Sequence, residues 1–421
     1  MNLFDDLKAR GLVHDYTDAP QMSAGLARGG MTLYVGFDPT AESLHLGHLV
    51  PIVGLMRFQR AGHRPLAVVG GGTGMIGDPS GKSEERSLLD ADTLARNLEG
   101  VRAQLGRFLD FGSGPAGAAL LDNAAWLGGT NLIDFLRDVG KHFSLGYMMA
   151  KESVKGRMSE SGISYTEFSY MVLQAYDFLH LFDAEGCTLQ LGGSDQWGNI
   201  TAGIELIRRA RGKEAYGITC PLITTAGGRK FGKTEAGSVW LDPARTSPYR
   251  FSQHWIQTDD KDVGRFLRYF TFLPLEEIGA IEKAHLENPG RREGQRLLAR
   301  AVTALVHGEE AARSAERAAE ILFGGDLEGI EERDLLEAAG EMPRTAHAAA
   351  PPLVLVDALV ETGLCRSKGM ARKDLSGGGI YVNNRRVAEE DASLSRADLL
   401  FGRYVLLRKG KKNYHLLEFP A

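Results

Sequence analysis

Cysteine is scarce in this 421-residue chain, with only Cys187, Cys220 and Cys365. Three widely spaced thiols indicate neither a disulfide framework nor a CxxC zinc site, so a reduced, cytoplasmic protein is expected. No apolar run is long enough to cross a bilayer. The opening stretch MNLFDDLKARGLVHDYTD mixes acids with bases and lacks the apolar core of a signal peptide. Internal repeats are missing, and the only biased segment is the short Ala-rich TAHAAAPP. A large charge of one sign is missing too. The 49 Lys and Arg stand against 54 Asp and Glu, a net of -5, which gives no hint of a polyanionic partner.

What is present has the balance of a soluble globular protein, 43% hydrophobic and 24% charged residues, and the length of two or three domains. The charge is uneven. Residues 351–421 hold 12 Lys and Arg against 8 Asp and Glu, a net of +4, and residues 1–350 hold 37 against 46, a net of -9. A basic end on an acidic body is a weak pointer to a polyanion. Short apolar strands such as TLYVGFD, PLAVVGGG, CTLQLGG and ITCPLITT alternate with helical periodicity and predict βαβ units around a mostly parallel sheet. From about residue 245 strands give way to Ala-, Leu-, Arg- and Glu-rich helices. After TAHAAAPP, two helices and the period-2 segments IYVNNRRVA and YVLLRKGKKNYHLLEF predict a small α+β module. The expected domains are 1–245 with an α/β, Rossmann-like parallel sheet, 246–345 helical, a linker at 346–352, and 353–421 α+β.

The most glycine-dense stretch, AVVGGGTGMIGDPSGKSEER, offers two fingerprints that both fail. Gly72, Gly74 and Gly77 fit G-x-G-x-x-G after a strand, but Asp-Pro-Ser-Gly interrupts the helix that a dinucleotide site requires. Gly81-Lys82-Ser83 ends like a P-loop, yet only three residues separate Gly77 from Gly81 where four are needed. What remains is a loop carrying Asp78, Lys82 and Arg86 at the C-terminal end of a strand, where open α/β sheets bind ligands.

Two other stretches carry more. SLHLGHLVPIVGL follows the strand TLYVGFD and sets His45 and His48 at the start of a helix, with Gly47 beside the second. Histidines at that spacing suggest metal ligands; a helix N-terminus also attracts anions through free N–H groups and its dipole. Far downstream, GGRKFGKTEAG places Lys230 and Lys233 around Phe231-Gly232, with Thr234 next. Two ammonium groups on such a loop suit a polyphosphate. HLGH after the first strand and KFGKT after the last resemble the HIGH and KMSKS signatures of class I aminoacyl-tRNA synthetases. GGGTGMIGDPSGK, FSYMVLQAYDFLHLF and LQLGGSDQWGNI, lying between them, are similar to the bacterial tyrosyl-tRNA synthetases. The resemblance covers the whole chain, with a C-terminal module like the S4 RNA-binding domain and an anticodon-binding role for the helical domain.

The resemblance implies activation of L-tyrosine by ATP to tyrosyl-adenylate and pyrophosphate, then transfer of tyrosine to the 3′ end of tRNA(Tyr). ATP is the substrate, accompanied by Mg²⁺ for which no dedicated protein ligands stand out, and no tightly bound cofactor is expected. It also implies the site. Thr40 and His45 would meet the γ-phosphate, His48 the nucleoside, and Lys82, Arg86, Lys230, Lys233 and Thr234 the leaving pyrophosphate. Gly36, Asp38, Gly47, Gly193 and Asp195 would line the nucleotide or adenylate. Tyr34 and Asp177 would hold the phenolic hydroxyl; Asp78, Tyr170 and Gln174 the α-ammonium group; Gln196 would lie near the carboxylate. Val35 stands where some relatives carry a cysteine, and Phe231-Gly232 replace Met-Ser in the second signature.

Arg366, Lys368, Arg372 and Lys373, on or beside one helix, would contact tRNA phosphates. Removal of residues 351–421 is accordingly expected to spare adenylate formation and abolish charging. An insertion near 125–165, including FLRDVGKHFSLGYMMAKESV, corresponds to the family's dimer interface, so a symmetric homodimer is expected. A tryptophanyl-tRNA synthetase relative and a non-catalytic RNA-binding paralogue are the alternatives; HLGH and KFGKT oppose the second, Tyr34 with Asp177 the first.

Overall fold

A computed structural model describes residues 2–80, 89–151, 154–155, 158, 162–225, 231–234 and 237–420, with Lys233 and Thr234 described by their backbone alone. Lys82, Arg86 and Lys230 lie outside the described residues. Chain contacts divide the molecule into two compact units, 1–242 with 259–290, and 243–258 with 291–421. No helix among the described residues is long and apolar enough to cross a membrane.

The first unit is built on five parallel strands, β1 (Thr32–Phe37), β2 (Arg64–Val69), β3 (Ala119–Asp122), β4 (Cys187–Gly193) and β5 (Tyr216–Cys220), in the order β3-β2-β1-β4-β5. β2 and β5 read as nearly continuous apolar runs because helices cover both faces of the sheet. β1 lies between β2 and β4, so the order reverses there, and a crevice opens beyond the carboxyl ends of β1 and β4. The glycine-rich stretch after β2 passes into one 3₁₀ turn, Thr73–Met75, rather than the helix of a dinucleotide site. Helices Asp260–Phe270 and Leu275–Glu287, which sequence periodicity groups with the helical domain, belong to this first unit.

The second unit joins four helices, Pro248–Ile256, Glu293–His307, Glu309–Leu322 and Glu332–Ala339, to a five-stranded sheet. Strand Arg344–Ala346 pairs parallel with Asn413–Glu418, and the other neighbours are antiparallel. One face of the sheet, through Val405, Leu407 and Leu417, packs on helices Leu355–Glu361 and Lys368–Ser376. The other, through Tyr404, Leu406 and Leu416, shares a core with Ile321, Leu335 and Ala338. This corrects the expectation for truncation. Cutting at residue 351 would bare that second core, so loss of charging in a truncated chain would not isolate a role for RNA contacts.

Candidate active site

The HLGH segment folds as a helix start. His45 is the N-cap of helix Leu46–Arg60: its Nδ1 accepts the Gly47 N–H at 3.0 Å, and His48 Nδ1 accepts the His45 N–H at 3.1 Å. This is a capping box made by two imidazoles, with ring centroids 4.1 Å apart. Gly47 makes it possible, since a Cβ there would stand 2.7 Å from His45 Cε1. Accepting at Nδ1 places the proton of each neutral ring on Nε2. The free N–H groups expected of this helix end are also taken. Leu46 N–H donates to the Val239 carbonyl at 3.0 Å and His48 N–H to the His45 carbonyl at 2.8 Å. An anion here therefore meets imidazole N–H donors rather than bare backbone.

The second signature lies directly against the first. Phe231 N–H donates to the Ile223 carbonyl and Val239 N–H to the Gly232 carbonyl, while Leu241 N–H donates to the Leu44 carbonyl. Lys233–Thr234 pair with Gly237–Ser238, and His45 forms a β-bridge with Trp240. Gly232 has φ +77°, and a Cβ on it would stand 2.9 Å from Leu46 Cβ. Phe231 anchors the segment, its ring buried against Phe266 and Phe270 at centroid distances of 4.8 and 5.5 Å. Segments almost two hundred residues apart in sequence thus share one wall.

That wall belongs to a cavity of about 550 Å³ at the crevice of the sheet. From the carboxyl end of β1 come Gly36, Asp38 and Thr40, from the first signature His45, Gly47 and His48, and from the end of β4 Gly193, Asp195 and Gln196. Asp78 lines it from the loop after β2, and helix Tyr165–Glu185 presents Tyr170, Gln174 and Asp177 at the spacing of one face. Tyr34 and Val35 complete it from β1.

The polar groups form two networks. In the first, Tyr170 Oη donates to Asp38 Oδ2 at 2.8 Å and Thr73 Oγ1 to Asp38 Oδ1 at 2.9 Å. Burial, and then the neighbouring Asp38, hold the Tyr170 hydroxyl firmly in its protonated form. In the second, Gln196 Nε2 donates to Asp78 Oδ2 at 2.7 Å, while Asn199 Nδ2 donates to Gln174 Oε1 and Gln196 Oε1, each at 3.1 Å.

The deepest part is the most telling. Asp177 is 4% exposed, and its carboxylate accepts from Asn123 Nδ2 at 2.9 Å and Trp126 Nε1 at 2.7 Å. Burial nevertheless outweighs those two donors and lifts its pKa to about 7. Tyr34, 2% exposed, has a buried hydroxyl with no hydrogen-bond partner among the described residues. Burial first, and then Asp177, raise its pKa well above the usual phenol value. A lone buried hydroxyl next to a buried carboxylate is a costly pair of groups without a ligand to join them.

Thr73, Asn123 and Gln190 line the cavity and Trp126 donates to Asp177, and sequence reasoning missed all four. Asn123 also accepts the Gly72 N–H at 2.7 Å, and Trp126 stacks on His180 with centroids 4.5 Å apart. Asn123 follows β3 directly, so recognising ALLD as a strand would have placed it at the same carboxyl edge. In the second unit, Arg366, Lys368, Arg372 and Lys373 are exposed on and just before helix Lys368–Ser376, with Lys368 2.6 Å from Asp357.

The family described as tRNA synthetases class I (W and Y) matches residues 27–324, and the tyrosine–tRNA ligase SYY-like C-terminal domain matches residues 334–417. The tyrosine–tRNA ligase of Geobacillus stearothermophilus is 52% identical over 420 residues, covering 100% of both chains. The chain belongs to the tyrosyl-tRNA synthetases. The tyrosine–tRNA ligase of Opitutus terrae is 53% identical, over 99% of this chain and 100% of that protein. A C-terminally truncated mitochondrial tyrosyl-tRNA synthetase from Coccidioides posadasii superposes with a TM-score of 0.66 at 32% identity, over 75% of this chain and 91% of its own. A tryptophanyl-tRNA synthetase from Encephalitozoon cuniculi, with a TM-score of 0.53 at 16% identity over 74% of this chain and 87% of its own, shares the fold. Membership in the synthetase family gives the two signatures and the paired networks a single context.

Proposed function

We propose that this chain is a tyrosine–tRNA ligase whose cavity binds tyrosine at its floor and ATP at its rim. The observation that carries the reading is a Tyr34 hydroxyl without a hydrogen-bond partner among the described residues in the same cavity as the buried Asp177 carboxylate. A phenolic hydroxyl would donate to Asp177 and accept from Tyr34, satisfying both. Phenylalanine would leave the Tyr34 hydroxyl unpaired and deny the buried Asp177 carboxylate its third donor, at about 1–3 kcal/mol for each group, so discrimination of roughly 10² to 10⁴ follows from desolvation alone. The α-ammonium group would sit against Asp78, Gln174 and the Tyr170 oxygen, with Gln196 beside the carboxylate.

In activation, a tyrosine carboxylate oxygen attacks the α-phosphorus of ATP, the new O–P bond forms, and the α–β bridge breaks to release pyrophosphate. The nucleophile is already an anion, so no general base is needed and catalysis rests on position and charge. His45 Nε2–H and the Thr40 hydroxyl would donate to phosphate oxygens. His48, Gly36, Gly47, Asp38 and Gly193 would line the nucleoside, with Asp195 on the ribose hydroxyls. Lys82, Arg86, Lys230, Lys233 and Thr234 would surround the pyrophosphate, whose charge Mg²⁺ would share. A terminal ribose hydroxyl of the tRNA then attacks the tyrosyl carbonyl and AMP leaves. Arg366, Lys368, Arg372 and Lys373 would neutralise phosphates of that RNA. Buried, unpaired Cys187, Cys220 and Cys365 suit a reducing cytoplasm.

ATP–pyrophosphate exchange with single amino acids tests the reading. Exchange is expected with tyrosine and at least about 10²-fold less with phenylalanine. Equal stimulation by tryptophan would favour the tryptophanyl alternative.

A homodimer is part of the proposal. Leu132, Ile133 and Leu136 crowd helix Leu132–Asp138, Leu145 and Met149 lie on the next helix, and all are exposed, Ile133 by 68%. That apolar patch, within the segment expected at the interface, needs a cover. A two-fold interface carries every substitution twice. Ile133→Asp would forfeit about 1.5–3 kcal/mol of burial per copy, weakening the dimer roughly 10²- to 10⁴-fold. Sedimentation of the variant should show monomer where the parent shows dimer. A variant dimer of undiminished affinity would place the interface elsewhere.

A further inference from the structure

A second cavity, of about 670 Å³, opens where the end of helix Leu3–Ala9 meets helix Asp260–Phe270. It shares no lining residue with the cavity at the sheet. Five cationic side chains reach it, Lys8 and Arg10 from the first helix end and Lys261, Arg265 and Arg268 from the second helix. Positions 261, 265 and 268 recur at i, i+4 and i+7, so they stand on one face and cover about 10 Å of its length. Carboxylates answer the arginines. Arg10 Nε donates to Asp6 at 2.9 Å, Arg265 Nη2 to Asp262 at 2.5 Å and Arg268 Nη1 to Glu282 at 2.6 Å. The lysines have no carboxylate partner among the described residues: Lys261 is exposed, and Lys8 lies over the rings of Phe4 and Tyr16 at 4.3 and 4.4 Å. The cavity is left with surplus positive charge.

Donors are in surplus as well. Tyr269 is 8% exposed and lines the cavity, yet its hydroxyl has no hydrogen-bond partner among the described residues. Gly11, where the chain turns at φ +76°, adjoins that hydroxyl, and a Cβ there would stand 3.5 Å from Tyr269 Oη. Arg10 Nη1 and Arg265 Nε are buried without an acceptor among the described residues. Native proteins rarely leave so many buried donors unanswered. Linked phosphoryl groups match the surplus. They carry charge and many acceptor oxygens, guanidinium groups take phosphate oxygens in pairs, and a chain of phosphates bridges cations that a single phosphate cannot. A nucleobase finds little here, because the Tyr269 ring is buried and Asp262 is engaged by Arg265. A nucleic-acid backbone would need the donors at the surface, and Arg10 and Tyr269 lie below it.

We propose that this second cavity is a binding site for a small oligophosphate anion, held by Lys8, Lys261 and the Tyr269 hydroxyl with the three arginines around it. Calorimetric titration of the full-length chain with inorganic tripolyphosphate tests it. One binding event per chain is expected to weaken at least about 10-fold in Lys261→Glu and about 10-fold in Tyr269→Phe, which removes only the hydroxyl. ATP–pyrophosphate exchange should stay within about twofold of the parent in both variants, since neither residue lines the active-site cavity. Lys213→Glu, the same charge reversal on an exposed lysine outside the cavity, should leave tripolyphosphate binding within about twofold of the parent. Orthophosphate should bind at least about 10-fold more weakly than tripolyphosphate, being too short to bridge the cations. GTP separates the sources: equal affinity supports a site for any triphosphate tail, and weaker binding supports one for the free inorganic chain. Undiminished binding in Lys261→Glu and Tyr269→Phe, or an equal loss in Lys213→Glu, overturns the site. Displacement of tripolyphosphate from the Lys261-dependent event by tRNA overturns it too, and makes the cavity an RNA contact.

Discussion

Asp177→Asn is expected to lower kcat/KM for tyrosine by roughly 10² to 10³ while also eroding the preference over phenylalanine. A hydrogen bond to a charged group contributes about 1.5–3 kcal/mol, and the amide loses more than that. Asn123 Nδ2 and Trp126 Nε1 both donate to the carboxylate, and an amide can accept with its oxygen only. One donor would then face an NH₂ group across a buried gap. The same residue imposes a pH dependence whose sign follows from its environment. With its pKa lifted to about 7 by burial, Asp177 is a carboxylate above that pH and an acid below it. The phenol of tyrosine must donate to the carboxylate, so affinity should plateau above pH 7 and fall about tenfold per unit below it. Binding below pH 7 should release a proton, measurable by calorimetry in buffers of different ionisation enthalpy. Tyr34→Phe should keep this profile at reduced affinity, and Asp177→Asn should abolish it. An identical pH slope in the parent and Asp177→Asn would remove Asp177 from the phenol site.

Much of this arrangement is legible before any coordinates, and the exceptions have physical causes. β1, β2 and β4 announce themselves as apolar runs ending in Gly or Asp, and β5 as one ending just before Pro221. β3 is four half-buried residues at the sheet edge, too short and too plain to stand out. With it went Asn123 and Trp126, whose value lies in contacts to Asp177 more than fifty residues away. In the C-terminal strands, alternation suggests one buried face. Yet Tyr404-Val405-Leu406-Leu407 is apolar at every position, because helices cover both sides of that sheet. The local pattern cannot say that the second cover is the helix pair around Ile321 and Leu335. Motif order revealed HLGH and KFGKT as partners, but not that Gly232 rests on Leu46 or that Phe231 docks between Phe266 and Phe270. Those contacts depend on where helix Asp260–Phe270 packs, which periodicity assigns to the wrong unit.

The capping box makes His45 a sharper test than the motif alone allowed. His45→Ala is expected to cut the exchange rate by roughly 10² to 10³, the usual loss when one donor to a developing anion is removed. Tyrosine affinity should stay within about twofold, because the phenol and ammonium contacts lie on other elements. Alanine alone is ambiguous, however. It also removes the cap that His45 Nδ1 gives to Gly47 N–H, at about 0.5–2 kcal/mol of stability, and so disturbs the wall shared with Val239 and Trp240. Asn resolves the two roles, being among the best N-cap residues yet too short to place a donor where imidazole Nε2 stands. His45→Asn should therefore melt close to the parent while remaining as slow as His45→Ala in exchange. Recovery of the parent rate in His45→Asn would reduce His45 to a helix cap and pass the phosphate contact to Thr40 and the lysines of the second signature. Loss of tyrosine binding in step with the rate would instead show that the helix start shapes the whole cavity.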